Sequence, residues 1–306
     1  MNYCKACQTD LEGPVVGTYC VCSACRSANY ISDQSAAADN NSYFDSIYSA
    51  SRRMIIERRR EDFIKYEQIH SRFHREDAKR YQDILHRFSQ SICAAGQSVE
   101  VGFGYGHELI QFLKKGANIF GVDLSVEAVS QFRSLHPEYA KRVSGVSDWN
   151  SEADVLYSNA VFEHLDEPGE FLRKAFITLK PDGKLLMRLP LIACENYATS
   201  QIRFDINFWK PCHRVLYTLK GLKTLFESHG FRIVDSAGYA YYGYKVMSAM
   251  LRHGYRDIEI VRDPWKPIKH LESEWMYTMI LLHGLVKRTI CAEFALIATK
   301  ADYAPS

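Results

Sequence analysis

The sequence predicts an α/β protein: a doubly wound, mostly parallel sheet of seven strands, preceded by a small cysteine-rich head and a helical connector. Three observations carry that prediction. From Ser98 onward, short apolar runs alternate with helical stretches, the pattern of a parallel sheet with helices on both faces. Between Tyr43 and about Ile92 there is no proline or glycine, and apolar residues recur at every third or fourth position, as in amphipathic helices. Five of the nine cysteines fall within the first 25 residues.

The elements follow in order. Residues 1–35 form the cysteine-rich, turn-rich head, and 36–94 the connector, opening on the linker-like AAADNNS at 36–42. In the connector Ile55, Phe63, Tyr66, Ile69 and Phe73, then Tyr81, Ile84, Leu85 and Phe88, mark the apolar stripe. Its basic cluster, Arg52, Arg53, Arg58, Arg59 and Arg60, invites a phosphate-binding reading. The interleaved Glu57, Glu61 and Asp62 make a solvated helix face the stronger one. Residues 95–306 form the α/β domain. Strands are expected at 98–102, 118–124, 142–146, 153–160, 184–190, 231–239 and 294–300, with helices at 107–115, 125–136, 169–179 and 218–229. An insertion at about 240–292 interrupts the last two strands. Its aromatic and Met content reads as core or dimer surface ahead of an acceptor lid.

Composition narrows the class. The 306 residues correspond to roughly two domains of about 150 each. Hydrophobic residues at 47% and charged residues at 24% exclude a largely disordered chain. A formal net charge of +2 argues against broad affinity for phosphate backbones. The opening MNYCKACQTD has no apolar core, so no signal peptide is expected. The apolar run Trp275 to Val286 is shorter than the roughly 20 residues of a membrane span. An odd, clustered set of cysteines does not resemble a secreted disulfide framework. The expected compartment is therefore the cytoplasm.

The strand SVEV runs directly into Gly102-Phe103-Gly104-Tyr105-Gly106, and a helix opens near His107. Three glycines in five residues let the backbone approach a ligand closely, at the carboxyl end of a strand, where open parallel sheets bind ligands. Glu100 stands just before the loop. Asp123 ends the second strand, 17 residues after Gly106, placed to accept both hydroxyls of a nucleoside ribose. The spacing G-x-G-x-G differs from the G-x-G-x-x-G of dinucleotide binders.

The run VEVGFGYG…IFGVDLS…ADVLYSNAVFEHLDEP…LKPDGKLLMRLP resembles the class I S-adenosylmethionine-dependent methyltransferases over about residues 95 to 300. The resemblance implies a Rossmann-like sheet with an antiparallel last strand and S-adenosylmethionine as methyl donor. It implies that Glu100, Gly102 and Gly104 line the methionyl end, with Gly106 also in the cofactor-binding loop, that Asp123 binds ribose and that Leu124 packs on adenine. Asp148 would read the adenine amino group, or serve as a turn or cap aspartate. Asn159 would end the fourth strand beside the sulfonium.

Methyl transfer asks the protein to align a nucleophile with the methyl group, often with a base for the acceptor's proton. Two histidines qualify. His164, in FEHLDEP, follows the fourth strand; because this run is common in the family, a structural or donor-side role competes with a catalytic one. His213, in INFWKPCHRVLYTLKGLKTLF, sits near Phe208, Trp209 and Tyr217, a setting suited to a small-molecule pocket. It is a candidate base or substrate ligand, or a plain loop histidine. Arg203 and Lys210 would meet an anionic substrate, or are surface charges.

The pairs Cys4-x2-Cys7 and Cys22-x2-Cys25 have 14 residues between them, the spacing of a zinc ribbon with four thiolate ligands. The head has too few apolar residues for a core of its own, and a structural zinc ion would supply the folding energy. Four thiolates leave no open position for a substrate. Cys20 is a fifth thiol, able to replace Cys22 or stay free.

A zinc-binding head ahead of this catalytic domain is similar to bacterial methyltransferases of sugar and surface-polysaccharide modification. The expected acceptor is thus a small-molecule or glycan hydroxyl, with methylation at a sugar carbon as a related reading. An RNA methyltransferase with a nucleic-acid-binding head ranks second; the near-neutral charge and the lack of an N-P-P-Y motif count against it. A non-catalytic scaffold ranks third, against the intact loop and Asp123.

Overall fold

The computed structural model describes residues 3–31, 75–149, 152–192, 213–239 and 293–301, and the structural statements below refer to these. The connector up to residue 74, the segment carrying Arg203, Phe208, Trp209 and Lys210, and the insertion at 240–292 lie outside them.

The head contributes three short strands, β1 (Val15–Val16), β2 (Tyr19–Val21) and β3 (Ala28–Tyr30). The helix α1 (Arg75–Ala94) follows. Its apolar residues Tyr81, Ile84, Phe88 and Ile92 are buried at spacings of three and four, as one helical face requires.

The main body then alternates as the apolar runs dictate: β4 (Ser98–Val101), α2 (His107–Lys114), β5 (Ile119–Asp123), α3 (Val126–Leu135), β6 (Val143–Gly145), β7 (Ala153–Asn159), α4 (Pro168–Thr178) and β8 (Leu179–Leu189). The short β9 (Val215–Leu216), α5 (Leu219–Ser228), β10 (Phe231–Tyr239) and β11 (Glu293–Lys300) complete it. Helix starts carry the expected chemistry. Ser125 caps α3 through Ala128 N–H, Thr218 caps α5 through Gly221 N–H, and Pro168 opens α4.

Seven strands form one sheet in the order β10-β11-β8-β7-β4-β5-β6. Pairings from β8 through β6 are parallel, and β11 runs antiparallel to both β8 and β10. The period-two alternation of a strand sorts side chains between two cores. On one face Tyr157, Leu186 and Ile297 pack with α1, α2 and α3. On the other, Leu156, Met187 and Leu296 pack with α4 and α5. Both faces being covered is why the consecutive residues Val155–Tyr157 of β7 and Leu185–Met187 of β8 are all apolar and buried.

The head is built onto this body. A second sheet runs β1-β2-β3-β9, in which Ala28 pairs with Leu216 and Asn29 with Val215. Cys4, Ala6, Cys22 and Cys25 share one core with Leu222, Leu225 and Phe226 of α5. Ser27 Oγ accepts from Thr218 N–H (3.0 Å), and Thr218 Oγ1 donates to the Cys25 carbonyl (2.6 Å). A Cβ at Gly221 would lie 2.3 Å from Ser27 Oγ, so a glycine is what lets α5 lie this close. The segment after β8 therefore carries a strand, β9, that its sequence does not announce. Two residues are too few to show a period, and only the partner β3 makes them a strand. No helix among the described residues is long and apolar enough to cross a membrane.

Candidate active site

The glycine loop lies at the carboxyl end of β4, in the middle of the sheet. Gly102 has φ +76° and Gly106 φ +70°, conformations that other residues rarely adopt. Space gives the same answer: a Cβ at Gly102 would be 2.3 Å from Val161 Cγ2, and one at Gly106 2.3 Å from the Phe132 ring. Asp123 holds the loop from below. Gly104 N–H donates to its Oδ2 (2.8 Å) and Ser125 N–H to its Oδ1 (2.9 Å). One carboxylate thus joins the loop to the end of β5.

Glu100 is 3% exposed, and its Oε2 is buried with no hydrogen-bond partner. Burial, with the neighbouring Glu108 and Asp123 charges adding to it, pushes its carboxyl well above the usual carboxylate range. A cationic ligand group beside it would answer both conditions. Leu124, next to Asp123, is 62% exposed, an apolar surface open at the strand end. Asp148 closes the turn Val146–Asp148, but its side chain lies outside the described part.

A sign follows for stability. A carboxyl held protonated binds more protons folded than unfolded above its ordinary pKa of 4.5, so the ligand-free protein loses stability as pH rises through and beyond that value. Glu100→Gln removes this dependence. It is expected to stabilise the ligand-free chain by about 1–2 kcal/mol at neutral pH, while weakening any ligand that presents a cation there. Urea unfolding at pH 5 and pH 8 checks it; an unchanged pH slope in the variant would exclude Glu100 as the source.

Asn159 is held by a network that the sequence alone does not reveal. Its Nδ2 donates to Glu108 Oε2 (3.1 Å), and Tyr157 OH donates to the same oxygen. Arg188 donates from Nη1 to Glu108 Oε1 (2.7 Å) and from Nη2 to Glu293 Oε2 (2.9 Å). Burial alone would lower the Arg188 pKa, but Glu293, Tyr81, Tyr157 and Glu108 together hold it above its ordinary value. Glu108 was hidden because it reads as a helix-start acid; only the sheet order brings β7, β8 and β11 to it.

The two candidate histidines meet. The rings of His164 and His213 are in edge contact, with centroids 4.9 Å apart. His164 lies in the 3-10 turn Phe162–His164 just beyond β7, and His213 just before β9. The peptide of His213 is fixed from the head, since Tyr19 OH donates to its carbonyl (2.9 Å). Arg214 N–H donates to the Glu163 carbonyl (2.7 Å), which ties the two segments together. Val161, which packs against Gly102, immediately precedes the turn that carries His164.

The four head thiols also converge. Cys4 Sγ is 3.7 Å from Cys25 Sγ and Cys7 Sγ is 3.6 Å from Cys22 Sγ, and all four sulfurs lie within 4.8 Å of one another. A tetrahedral zinc ion with bonds of about 2.3 Å sets sulfurs about 3.8 Å apart, so the four can hold one. Asn29 Nδ2 donates to Cys4 Sγ (3.3 Å). The hydrogen bond from Cys25 pulls the Cys4 thiol below the usual range and raises that of Cys25. Cys20 turns away, toward the Gly13 carbonyl (3.6 Å).

Comparison with known proteins gives the family. The methyltransferase domain family matches residues 73–236. A probable S-adenosylmethionine-dependent methyltransferase of Mycolicibacterium smegmatis is 27% identical over 184 residues, 58% of this chain and 66% of that protein. The C-methyltransferase NovU of Streptomyces niveus is 30% identical over 143 residues, 45% of this chain and 33% of its own. The match thus spans about two thirds of the first relative and a third of the second. A solved phosphoethanolamine N-methyltransferase 2 of Haemonchus contortus superposes with a TM-score of 0.49 at 16% identity, over 72% of this chain and 53% of that one. With the family match covering more than half of its residues, and with a glycine loop and strand-end carboxylate at the centre of a seven-stranded sheet, the chain belongs to the methyltransferase domain family.

Proposed function

We propose that the protein transfers a methyl group from S-adenosylmethionine to a hydroxyl of a sugar or glycan-type small molecule. The observation that carries the reading is the glycine loop tied to Asp123, together with the buried, unpartnered Glu100 Oε2 just before it. S-adenosylmethionine supplies a methyl group on a positively charged sulfur. The chain's residues do the rest. Gly102, Gly104 and Gly106 admit the methionyl end, and Glu100 faces its ammonium group. Asp123 accepts the ribose hydroxyls. Leu124 covers one face of the adenine, Asp148 reads its amino group, and Asn159, oriented by Glu108, borders the sulfonium. His164 and His213 meet the acceptor hydroxyl as base or ligand, and the alignment of that oxygen with the methyl group provides most of the rate.

Cys4, Cys7, Cys22 and Cys25 hold a structural zinc ion in this reading. With four thiolates the ion offers no coordination site to a substrate, so its part is to hold the head against β9 and α5. The net charge of +2 favours a glycan acceptor over RNA. Calorimetric titration with S-adenosylmethionine tests the donor half. A single site per chain is expected, and no heat at millimolar ligand would sink the enzymatic reading in favour of a scaffold. Labelled donor offered to sugar, RNA and protein fractions tests the acceptor half; label confined to RNA would overturn the glycan assignment.

A further inference from the structure

Just beyond β7 the fold brings together three metal-binding side chains that sequence spacing does not group. Glu163 and His164 come from the 3-10 turn after β7, and His213 arrives 50 residues later. One donor atom from each lies within 4.8 Å of the others. Glu163 Oε1 is 3.7 Å from His164 Nε2. Around a divalent ion with bonds of about 2.0–2.2 Å, neighbouring donors sit about 3 to 4 Å apart. The Glu163–His164 pair already has that spacing, and the other separations, at most 4.8 Å, close to it by side-chain shifts of about 1 Å. We infer that Glu163, His164 and His213 form a binding site for a divalent cation of the manganese or zinc class.

Burial supports the assignment. Glu163 is 2% exposed and His213 1% exposed. A carboxylate oxygen and imidazole nitrogens drawn together out of water cost free energy unless their lone pairs are shared with a donor or a cation, and one ion bound by all three supplies that partner. The scaffold is fixed before any ion arrives. Arg214 N–H holds the Glu163 carbonyl, His164 N–H donates to the Val161 carbonyl (2.9 Å), and Tyr19 OH holds the His213 carbonyl. The ligand atoms thus need only side-chain adjustment.

The donor set also distinguishes this site from the cysteine head. Four thiolates select soft or borderline ions and close the coordination sphere. Two imidazoles and a carboxylate accept harder ions and leave positions for added ligands. The use of those positions rests on the proposed function: a sugar hydroxyl coordinated there would have its pKa lowered by the cation's charge. The two histidines would then act as ligands, and the hydroxyl proton would pass to solvent.

Manganese is the appropriate probe, because thiolates hold it poorly. The full chain, with its head zinc-loaded, is titrated with Mn²⁺ and free ion is followed by electron paramagnetic resonance. One Mn²⁺ per chain is expected. Glu163→Gln and His164→Ala should each weaken its binding about tenfold or more, by analogy with the 10–100-fold losses on removing supporting groups of metal sites. Asp123→Asn should leave it unchanged. His164 is the least buried of the three, so His164→Ala remains informative should a core variant fail to fold. An undiminished free-ion signal at stoichiometric protein, or binding indifferent to both substitutions, would overturn the proposal. S-adenosylmethionine binding without Mn²⁺ binding would remove the cation site and leave the methyltransferase reading standing. Mn²⁺ binding without S-adenosylmethionine binding would do the reverse.

Discussion

Cys4→Ser is expected to lower the melting temperature by about 10 °C, together with loss of zinc from the purified chain. Metal in a four-thiolate site supplies about 10–16 kcal/mol to a small domain that cannot fold without it. Here the body retains its own core, so only part of that energy reports on the whole chain. A net loss of about 3–5 kcal/mol at 2–4 °C per kcal/mol gives the quoted shift. The effect reaches the body because Cys4, Cys22 and Cys25 lie in one core with Leu222, Leu225 and Phe226. The Cys25 carbonyl accepts from Thr218, which caps α5. Differential scanning calorimetry with metal analysis measures both quantities. Cys20→Ser is the control, since that thiol faces the Gly13 carbonyl, and it should keep its zinc. A metal-free chain that unfolds at the same temperature as the zinc-loaded one would contradict the structural role.

The second large effect is on the donor site. Asp123→Ala should raise the dissociation constant for S-adenosylmethionine by about a hundredfold or more. Its carboxylate accepts from Gly104 N–H and Ser125 N–H, and hydrogen bonds to a charged group contribute about 1.5–3 kcal/mol each. Removing it loosens the loop that must approach the ligand, in addition to deleting the proposed ribose partner. Calorimetry checks the size of the change. An affinity within threefold of the parent chain would show that the ribose is held elsewhere. The substitution acts locally, at the mouth of the sheet, so circular dichroism should still report the α/β body.

Both effects have their origin in features of very different legibility. The strand β4, its glycines and Asp123 stand within 26 residues of one another, and each follows a local rule: apolar run, positive-φ turn, strand-end acid. The helices from α2 to α5 match their expected spans to within a residue or two at each end, because their apolar faces are periodic and their caps are polar. The seven strands were visible as short apolar runs, although β8 begins at Leu179, five residues before its expected start at 184, because its first residues carry no apolar run and only pairing with Ala153 of β7 makes them strand. β9 was not, nor was the antiparallel edge formed by β10 and β11 visible without the family resemblance, because pairing direction is a property of partners and not of the strand.

By itself, the sequence determined the alternation of strand and helix, the glycine loop, the strand-end acid and two thiol pairs. All of these are encoded over a few residues by backbone sterics and side-chain chemistry. Only the tertiary structure decided what those pieces do together. It joined the cysteine head to β9 and α5, and it oriented Asn159 through Glu108 and Arg188. It also brought Glu163 and His164 against His213. Each of these arrangements depends on contacts between residues far apart in the chain, whose energies come from burial and pairing after the sheet has closed. No local pattern can carry such information, because the same glutamate or histidine is an ordinary surface residue until the fold supplies its neighbours.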